Sequence, residues 1–542
     1  MQAQFVRALL ATTLMAASLC AQTAQPVLSG RARRQGEPVP PVVSVLSATV
    51  QADSVTGLLA PLWRDHYDLS VSHLSYLVEP GFLSLAQSVQ PRSWRCSVGR
   101  WEVSTPPPTG GDSLLPSVLA TVDREFYRGP NTLAGADDPG SYDFTYLDEQ
   151  LAHIQSLGAK PFLCFDYMPF TLSAQQNPFN ANNLSVANPD FSFSNGIRTA
   201  PPSDPAVYAR VVRNTARHVR GLFVGETDFE VDAIEIGNEP DLIDGAGAPL
   251  PYFWAGTTQQ WLNMYAQIAA EIDGDPLLAG QLELGAGSFA FFPNEPGVSF
   301  LEDFLTDVAA NGRRLDFVSY HSYGDALSGH LLSLIRLAII LDSQGLTTQI
   351  VNGEWGRALD GPDPVYDTVV HGLFRTKVMM LMQLFGVTRS HEALFRDLAS
   401  GSGQLGLVST GPAASKPVTD IYRALNLINA APLALATTAP NGSYVMAGKS
   451  ADDSRVVVVW VGDDPGAGRQ TRLDITVNSL PWGNAPFSVV RYEVSDASWA
   501  AGLGVAAADG RAGLPGPAFV GQATLGPGPG AGTLVLWELV RD

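Results

Sequence analysis

Basic residues and long apolar runs are both scarce in this 542-residue sequence. Lysine and arginine together number 33 against 53 aspartates and glutamates, which leaves a formal net charge of −20. That sign is wrong for a surface that binds phosphates or anionic lipid, so we expect neither nucleic acid nor membrane partners. No internal stretch approaches the roughly 18–20 apolar residues of a membrane span. With 45% hydrophobic and 16% charged residues, the chain is predicted to be globular with an ample core.

The first of only three cysteines lies in an N-terminal segment with the layout of a secretory signal peptide. Arg7 is followed by an apolar run over residues 8–17 and by small or polar residues up to 24. We predict a signal peptide over residues 1–21, a flexible leader over 22–41, and a secreted or periplasmic location. A lipid anchor at Cys20 is the alternative, although Leu19 fits a lipoprotein processing site poorly.

Short motifs of several enzyme classes are also missing. No His-Glu-x-x-His or paired-cysteine metal motif occurs, and no Gly-x-Ser-x-Gly turn follows a strand-like segment. We therefore expect no metal and no cofactor. No glycine-rich phosphate turn follows the first predicted strand either, which argues against an open doubly wound sheet.

Between about residues 90 and 430, short apolar segments alternate with longer amphipathic segments, as in a parallel sheet with crossover helices. This pattern predicts an α/β fold of the (β/α)8 TIM barrel type. The predicted strands cover residues 94–98, 120–126, 161–165, 232–237, 282–287, 316–320, 349–353 and 387–393. On this assignment Cys96 and Cys164 lie on the first and third strands, about 9–10 Å apart and beyond the roughly 7 Å reach of a disulfide.

The sequence pattern changes after about residue 430. Short β-rich segments separated by turn clusters predict a C-terminal antiparallel β-sandwich over residues 431–542. Such a module would bind carbohydrate or brace the barrel, and we favour bracing. Residues 42–90 are interpreted as a lead-in that packs on the barrel, so the predicted catalytic domain covers residues 42–430.

Two glutamates stand at the ends of predicted strands. Ile-Glu-Ile-Gly-Asn-Glu-Pro-Asp, residues 234–241, is strand-like until Pro240 and puts Glu239 at a strand tip. Ile-Val-Asn-Gly-Glu-Trp-Gly, residues 350–356, does the same for Glu354. The ends of strands four and seven meet at the same opening of a barrel, where two carboxyl groups can cleave a glycosidic bond.

These segments resemble the retaining (β/α)8 glycoside hydrolases, most closely glycoside hydrolase family 39, the β-xylosidase and α-L-iduronidase family. The similarity runs from about residue 45 to 430 and includes Tyr-Asp-Phe-Thr-Tyr-Leu-Asp-Glu at 142–149, Phe-Trp-Ala-Gly-Thr at 253–257 and Ser-Tyr-His-Ser-Tyr at 319–323. It implies that Glu239 is the general acid/base and Glu354 the nucleophile. Two positions depart from the family: Gly237 stands where tryptophan often precedes Asn-Glu-Pro, and Ser-Val-Gly at 97–99 replaces an expected His-Gly.

Four further residues are assigned to substrate binding. The resemblance implies that Asn238 hydrogen-bonds the sugar 2-hydroxyl, and the alternative is a turn residue before proline. We assign His321 to orienting a catalytic carboxylate, Tyr323 to donating to the nucleophile and Trp254 to stacking on a sugar. For these three, ordinary core packing is the alternative.

Two charged residues are assigned to support. Glu235 shares a strand face with Glu239 by the period-two rule, so it should point into the barrel and pair with a basic group such as Arg95. Arg357, three residues after Glu354, is interpreted as a structural ion pair rather than a contact to a substrate carboxylate.

The expected function is that of a retaining O-glycoside hydrolase, β-xylosidase-like, acting on a plant- or algal-type polysaccharide or oligosaccharide by double displacement. Ile-Gly-Asn-Glu-Pro-Asp at 236–241 also resembles β-glucuronidases of family 79, so a uronic-acid-directed glycosidase, β-glucuronidase-like or α-L-iduronidase-like, is the alternative. A catalytically inactive carbohydrate-binding protein is the rival from another class. For a retaining enzyme, the carboxyl groups of Glu239 and Glu354 should lie about 5–5.5 Å apart.

Overall fold

The computed structural model describes residues 42–68, 77, 79–98, 126–169, 171–174, 199–225, 228–231, 233–242, 253–290, 300–357, 363–397, 405–409, 414–439, 444–462, 469–495, 505–525 and 532–542. The predicted signal peptide and leader, and most of the predicted strand over 120–126, lie outside these ranges. Within them, no helix combines the length and apolarity that crossing a membrane requires. The described chain begins with strand β1 (Val42–Leu58).

Eight parallel strands then close into a barrel in chain order, which confirms the predicted TIM barrel. The strands are β2 (Asp65–His66), β3 (Ser93–Ser97), β4 (Lys160–Phe165), β5 (Ala233–Ile236), β6 (Glu283–Phe289), β7 (Phe317–Tyr323), β8 (Gln349–Gly356) and β9 (Val387–Glu392). The helices are α1 (Pro80–Ser88), α2 (Leu133–Asp137), α3 (Thr145–Ser156), α4 (Pro205–Val219), α5 (Thr258–Asp273), α6 (Phe300–Asn311), α7 (Leu327–Ser343), α8 (Val369–Leu384) and α9 (Pro417–Leu425).

The first barrel strand differs from the prediction. Two residues, Asp65 and His66, form β2 and hydrogen-bond both to β3 and to β9, which closes the barrel. The strand expected over residues 120–126 is therefore not needed to reach eight. The strand with Trp94 becomes the second in the barrel, whereas the strands that precede Glu239 and carry Glu354 remain the fourth and seventh.

The two cysteines of the described chain are free and buried, but not for the predicted reason. They lie on neighbouring strands, β3 and β4, where Cys96 pairs with Leu163 and Ser97 pairs with Cys164. An offset of one residue in this register turns the two thiols to opposite faces of the sheet. Cys96 packs in the core outside the strands, and Cys164 points into the barrel.

The barrel interior is built in layers. Phe162, Ala233, Phe317 and Val351 form an apolar floor within the strands. Because side chains alternate along a strand, the next inward positions towards the C-terminal ends carry Arg95, Cys164, Glu235 and Ser319, all of them buried. The following layer holds the candidate site, so the site rests on a polar layer and that layer rests on hydrocarbon.

The eight strands of the C-terminal part and β1 form a nine-stranded sheet in the order β15-β14-β17-β12-β11-β10-β1-β13-β16. Its further strands are β10 (Leu433–Thr438), β11 (Tyr444–Lys449), β12 (Arg455–Gly462), β13 (Arg469–Asn478), β14 (Phe487–Ser495), β15 (Ala506–Leu514), β16 (Phe519–Leu525) and β17 (Thr533–Arg541). The rings of Phe487 on β14 and Phe519 on β16 lie 6.5 Å apart, so the sheet curls until its two ends meet.

One face of this sheet belongs to the same core as the barrel. Along β12, Val457, Val459 and Val461 pack in the barrel's hydrophobic cluster, whereas Val456 and Val458 pack inside the curl. A sheet that is buried on both faces reads as a continuous apolar run, which is the pattern of β12. This shared core is the contact expected of a module that braces the barrel.

Strand β1 belongs to the sheet, although residues 42–90 were expected to pack on the barrel as a lead-in. It pairs with β10 in antiparallel and with β13 in parallel orientation. The side chains of Ala48, Val50 and Ala52 are buried in the core inside the curl. No strand was predicted over residues 42–58, because the partners of β1 in β10 and β13 lie hundreds of residues away and leave no local signal.

We expect deletion of residues 1–58 to destabilise the protein, because it unpairs β10 and β13 and uncovers the core around Val50. Burial of one valine alone is worth about 1.5–3 kcal/mol. The unfolding midpoint should therefore fall by more than about 5 °C relative to a deletion of residues 1–41, which keeps β1. Equal midpoints for the two deletions would show that β1 is dispensable.

Candidate active site

Glu239 lies in a tight turn just beyond the end of β5. The backbone is left-handed at Gly237, with φ of 82°, and again at Glu239, with φ of 42°. The N–H of Gly237 donates to the carbonyl oxygen of Phe165 on β4 at 2.9 Å, and that of Glu239 donates to Ser288 on β6 at 3.1 Å. The turn is therefore fixed from the strands on both sides of β5.

Gly237 is required by its surroundings. A Cβ atom at this position would lie 1.9 Å from Cη2 of Trp261, a distance no side chain tolerates. Trp261 is in the first turn of α5, which begins with a reciprocal cap between Thr257 and Gln260. Its indole occupies the space beneath the turn, which gives a physical reason for the absence of the family's tryptophan at position 237.

Glu354 points into the same opening from β8. The register between β7 and β8 slips by one residue, from the pair Tyr320–Asn352 to the pair His321–Glu354, so Gly353 is an extra residue in β8. A Cβ on Gly353 would lie 2.5 Å from Oγ of Ser288. This bulge, which only glycine fits, turns Glu354 inward.

The two glutamates and His321 meet closely. One carboxylate oxygen of each glutamate and one ring nitrogen of His321 all lie within 4.8 Å of one another. The side chain of Glu239 is 16% exposed and that of Glu354 only 6% exposed. The opening therefore holds one buried carboxylate and one that solvent reaches.

His321 lies between the two carboxylates and contacts Glu239 more closely. Its Nδ1 lies 2.7 Å from Oε1 of Glu239, and its Nε2 lies 4.0 Å from Oε2 of Glu354. Burial lowers the pKa of His321 to about 4, although Glu354 opposes the shift. The imidazole is therefore neutral near pH 7, and one of its two tautomers donates a hydrogen bond to Glu239.

Comparison with known proteins agrees with this geometry. The family description "Glycosyl hydrolases family 39" matches residues 127–394, which lie within the barrel. The barrel is therefore similar to glycosyl hydrolase family 39 over 268 of the 542 residues of the chain. The match is narrower than the similarity expected from residue 45 to 430, and it contains both candidate glutamates.

Individual relatives of this chain are distant. A β-xylosidase from Caldicellulosiruptor saccharolyticus is 23% identical over 253 residues, which cover 44% of this chain and 46% of that protein. This chain thus spans about half the length of that relative.

The solved structure of a glucosidase from Croceicoccus marinus is 20% identical, with a TM-score of 0.64 over 92% of this chain and 99% of the other. A monomeric β-xylosidase from Caulobacter crescentus is 16% identical, with a TM-score of 0.61 over 92% and 100%. At these identities the two structures show a shared fold.

An ion pair lies directly beneath the two candidate glutamates. Nε of Arg95 donates to Oε2 of Glu235 at 2.8 Å, which confirms the predicted pairing. Both side chains are fully buried, and burial disfavours their charges. The pKa of Glu235 is nevertheless held below its ordinary value by Arg95 and by hydrogen bonds from Ser319 and Ser288. Acidic neighbours likewise raise the pKa of Arg95.

Arg95 also contacts residues of the site itself. Its Nη2 donates to Oδ1 of Asn238 at 2.7 Å, and its Nη1 lies 3.6 Å from Oε2 of Glu354. The hydroxyl of Tyr323 donates to the other oxygen of Glu354. Burial and the adjacent Glu354 raise the pKa of Tyr323 well above its usual value, so the phenol keeps its proton. Glu354 thus has a hydrogen-bond donor on one oxygen and a guanidinium near the other.

The two remaining assignments have different outcomes. Trp254 is 7% exposed, its Nε1 donates to the carbonyl oxygen of Thr257 at 3.3 Å, and its ring packs edge-on against Trp261 at 5.2 Å. These contacts favour packing, and stacking of Trp254 on a sugar stays a prediction. Nε of Arg357 donates to Asp325 at 3.0 Å, which confirms a structural ion pair.

Three residues that contact Arg95 were not identified from the sequence. Tyr67 lies against Arg95, with the guanidinium carbon 4.8 Å from the ring centre. Ser288 donates to Glu235 at 2.7 Å and accepts from Arg95 at 3.1 Å. Cys164 also accepts from Arg95, at 3.1 Å. The period-two rule along β4 could have identified Cys164 as inward-facing, but Tyr67 follows a strand of only two residues and carried no signal.

The same cluster is the one place in the described chain where ligand-type residues gather closely enough for a metal ion: Glu239, His321 and Glu354. Arg95 opposes a divalent cation there, because its charge lies 3.6 Å from Glu354. The hydrogen bonds from His321 and Tyr323 also already use one oxygen of each glutamate.

We expect Gly237→Ala to lower the free energy of unfolding by more than the strain of a left-handed backbone alone would. Gly280→Ala is the matched control, because Gly280 has a φ of 71° but nothing within 4 Å of an added Cβ. The control should lose about 1–2 kcal/mol of unfolding free energy, and Gly237→Ala about 1–3 kcal/mol more because of the clash with Trp261. Denaturant unfolding and hydrolytic activity of both variants measure this. If the two variants lose equal stability and both retain activity, close packing under the turn does not position Glu239.

Proposed function

We propose that this protein is a retaining glycoside hydrolase in which Glu239 is the general acid/base and Glu354 the nucleophile. The observation that carries the proposal is the approach of the two carboxylates, with an oxygen of each within 4.8 Å. Carboxyl groups about 5–5.5 Å apart serve double displacement, whereas inverting enzymes need roughly 6.5–9.5 Å to admit a water molecule. The match of residues 127–394 to family 39 supports the same assignment.

In the first step Glu354 attacks the anomeric carbon while Glu239 donates a proton to the departing glycosidic oxygen. The bond from the anomeric carbon to that oxygen breaks, and a covalent glycosyl-enzyme forms. The hydroxyl of Tyr323 and the guanidinium of Arg95 hold the two carboxylate oxygens of Glu354 in place for this attack. The greater exposure of Glu239 suits a group that must reach the leaving sugar and later a water molecule.

In the second step Glu239, now ionised, takes a proton from water, which attacks the anomeric carbon and releases Glu354. Neutral His321, 2.7 Å from Glu239, keeps that carboxyl aimed in both steps. Asn238 is fixed through its side-chain oxygen by Arg95, so its NH2 group is the part left to meet the sugar 2-hydroxyl. That contact strengthens in an oxocarbenium-like transition state.

A neutral sugar of the β-xyloside type fits the charges best. Arg95 is occupied by Glu235 and Asn238, and Arg357 is paired with Asp325. A uronic acid would need a cation to balance its carboxylate, and among the described residues Arg95 and Arg357 are already engaged. The named activity of the Caldicellulosiruptor relative, β-xylosidase, points the same way.

A screen of aryl xyloside, glucuronide, iduronide, galactoside and arabinoside tests the substrate. We expect the xyloside to give the highest kcat/KM. Preferential cleavage of the glucuronide or iduronide would instead establish the uronic-acid alternative, and no hydrolysis of any member would favour an inactive carbohydrate-binding protein. The natural substrate is proposed to be a plant- or algal-type oligosaccharide or polysaccharide, met outside the cytoplasm as the N-terminal segment suggests.

The two proposed roles predict different dependence of the reaction rate on the leaving group. Glu239→Ala should lose about 10²–10⁴-fold in the first step with a poor leaving group, yet still form the glycosyl-enzyme from a dinitrophenyl glycoside, which needs little protonation. The covalent enzyme should accumulate and be visible by intact-protein mass spectrometry. Glu354→Ala should fail with good and poor leaving groups alike. An identical leaving-group dependence in both variants would contradict the assignment.

Azide distinguishes the variants by stereochemistry. In Glu239→Ala, azide replaces the water that lacks a base, so turnover should return with a β-azide product from a β-glycoside. In Glu354→Ala, azide enters from the vacated face and should give the α-azide. NMR of the glycosyl azides identifies the anomer. The same anomer from both variants would contradict the assignment of Glu239 as acid/base and Glu354 as nucleophile.

The pH profile provides an independent check. The rate should be bell-shaped, with the alkaline limb reporting loss of the proton from Glu239. His321 cannot supply that limb, because burial lowers its pKa to about 4 and it is already neutral above that pH. Glu239→Gln should therefore abolish the alkaline limb, whereas His321→Asn should retain one. A profile of Glu239→Gln that matches the unmodified enzyme would remove Glu239 from the acid/base role.

A further inference from the structure

Cys164 occupies an unusual place for a thiol, in the polar layer beneath the two glutamates. Its Sγ accepts a hydrogen bond from Nη2 of Arg95 at 3.1 Å. The same sulfur donates to the carbonyl oxygen of Gly237 at 3.5 Å, which is within the range of sulfur hydrogen bonds. The side chain is buried. One thiol therefore connects the central arginine to the backbone of the turn that carries Glu239.

The thiol acts here as a neutral donor. Burial raises the pKa of Cys164 well above its ordinary value, although Arg95 opposes the shift. The sulfur therefore keeps its proton, and Gly237 offers the carbonyl oxygen that can accept it. A buried carbonyl oxygen without a donor is costly, so the contact constrains the peptide that follows Gly237.

Gly237 is held from three directions. Its N–H bonds to Phe165, its α-carbon packs on Trp261, and its carbonyl oxygen accepts from Cys164. The first two contacts fix the position of the residue, and the third fixes the plane of the peptide that joins it to Asn238. Rotation of that plane would move Glu239, two residues on.

We propose that Cys164 is a positioning residue for Glu239, acting through the Gly237–Asn238 peptide. The inference rests on the proposed acid/base role of Glu239. Glu354 is held by Tyr323 and approached by Nη1 of Arg95, whereas Cys164 contacts Nη2. Glu235 keeps the guanidinium in place through Nε without the thiol. A change at Cys164 should therefore impair protonation of the leaving group far more than nucleophilic attack. A purely structural cysteine would lower stability without that selectivity.

Cys96 provides the matched control. It is also buried and free, on the neighbouring strand, but it packs among apolar side chains outside the barrel. Cys164→Ala and Cys96→Ala remove the same atom and should lower the unfolding midpoint by comparable amounts. Cys164→Ser keeps a donor at the position and Cys96→Ser serves as its counterpart. The full-length protein is used for all four variants.

The readout is kcat/KM for two aryl glycosides of the preferred sugar, one with a dinitrophenyl and one with an unsubstituted phenyl leaving group. Loss of one positioning hydrogen bond should reduce the phenyl value about fivefold to tenfold in Cys164→Ala and the dinitrophenyl value less than about twofold. Cys164→Ser should restore the phenyl value to within about twofold of the unmodified enzyme. Both Cys96 variants should leave the ratio of the two values unchanged.

Equal losses on both substrates in Cys164→Ala, or an altered ratio in Cys96→Ala, would overturn the positioning role. Glu239→Ala in the same assay separates this result from failure of the proposed function. If Glu239→Ala shifts the ratio and Cys164→Ala does not, only the inference about Cys164 fails. If Glu239→Ala itself leaves the ratio unchanged, the acid/base assignment fails and the positioning role fails with it.

Discussion

The buried ion pair between Arg95 and Glu235 is the interaction on which the active site depends. The guanidinium holds Asn238 and Cys164 and approaches Glu354, so it contacts both sides of the site at once. A buried charge that loses its partner costs about 3–5 kcal/mol. Glu235 is thus as necessary to the geometry as the groups that would touch substrate, although it lies one layer below them.

Layering explains why charges can be concentrated at this point. The apolar floor excludes water from below, and the polar layer above it satisfies its own charges through paired donors and acceptors. In that setting the hydrogen bonds to Glu239 and Glu354 act in a low dielectric, where they orient a carboxylate more firmly than in water. Small residues complete the arrangement, because Gly237 and Gly353 leave room for Trp261 and for Ser288.

Alternation of strand-like and helix-like segments was enough to predict the barrel and to put both glutamates at one opening. The period-two rule predicted the pairing of Glu235 with Arg95. The failures have a common cause, which is that register and distant partners leave no local pattern. A two-residue strand at Asp65 is too short to show any period, and its omission shifted Cys96 to the wrong strand. Strand β1 alternates correctly, yet nothing in it identifies β10 and β13 as its neighbours. The bulge at Gly353 likewise depends on contacts between strands.

The position of β1 also sets the order in which the molecule can be completed. Thr56 on β1 bonds to Ala434 on β10 across a separation of 378 residues. At a synthesis rate of about 5–20 residues per second, β1 waits roughly 20–75 seconds before that partner exists. The barrel can close in the meantime, but the sheet cannot, since its first strand lies between two of the later ones. The sheet therefore combines a strand that precedes the barrel with strands that follow it. Its assembly can be completed only after the whole barrel has been synthesised.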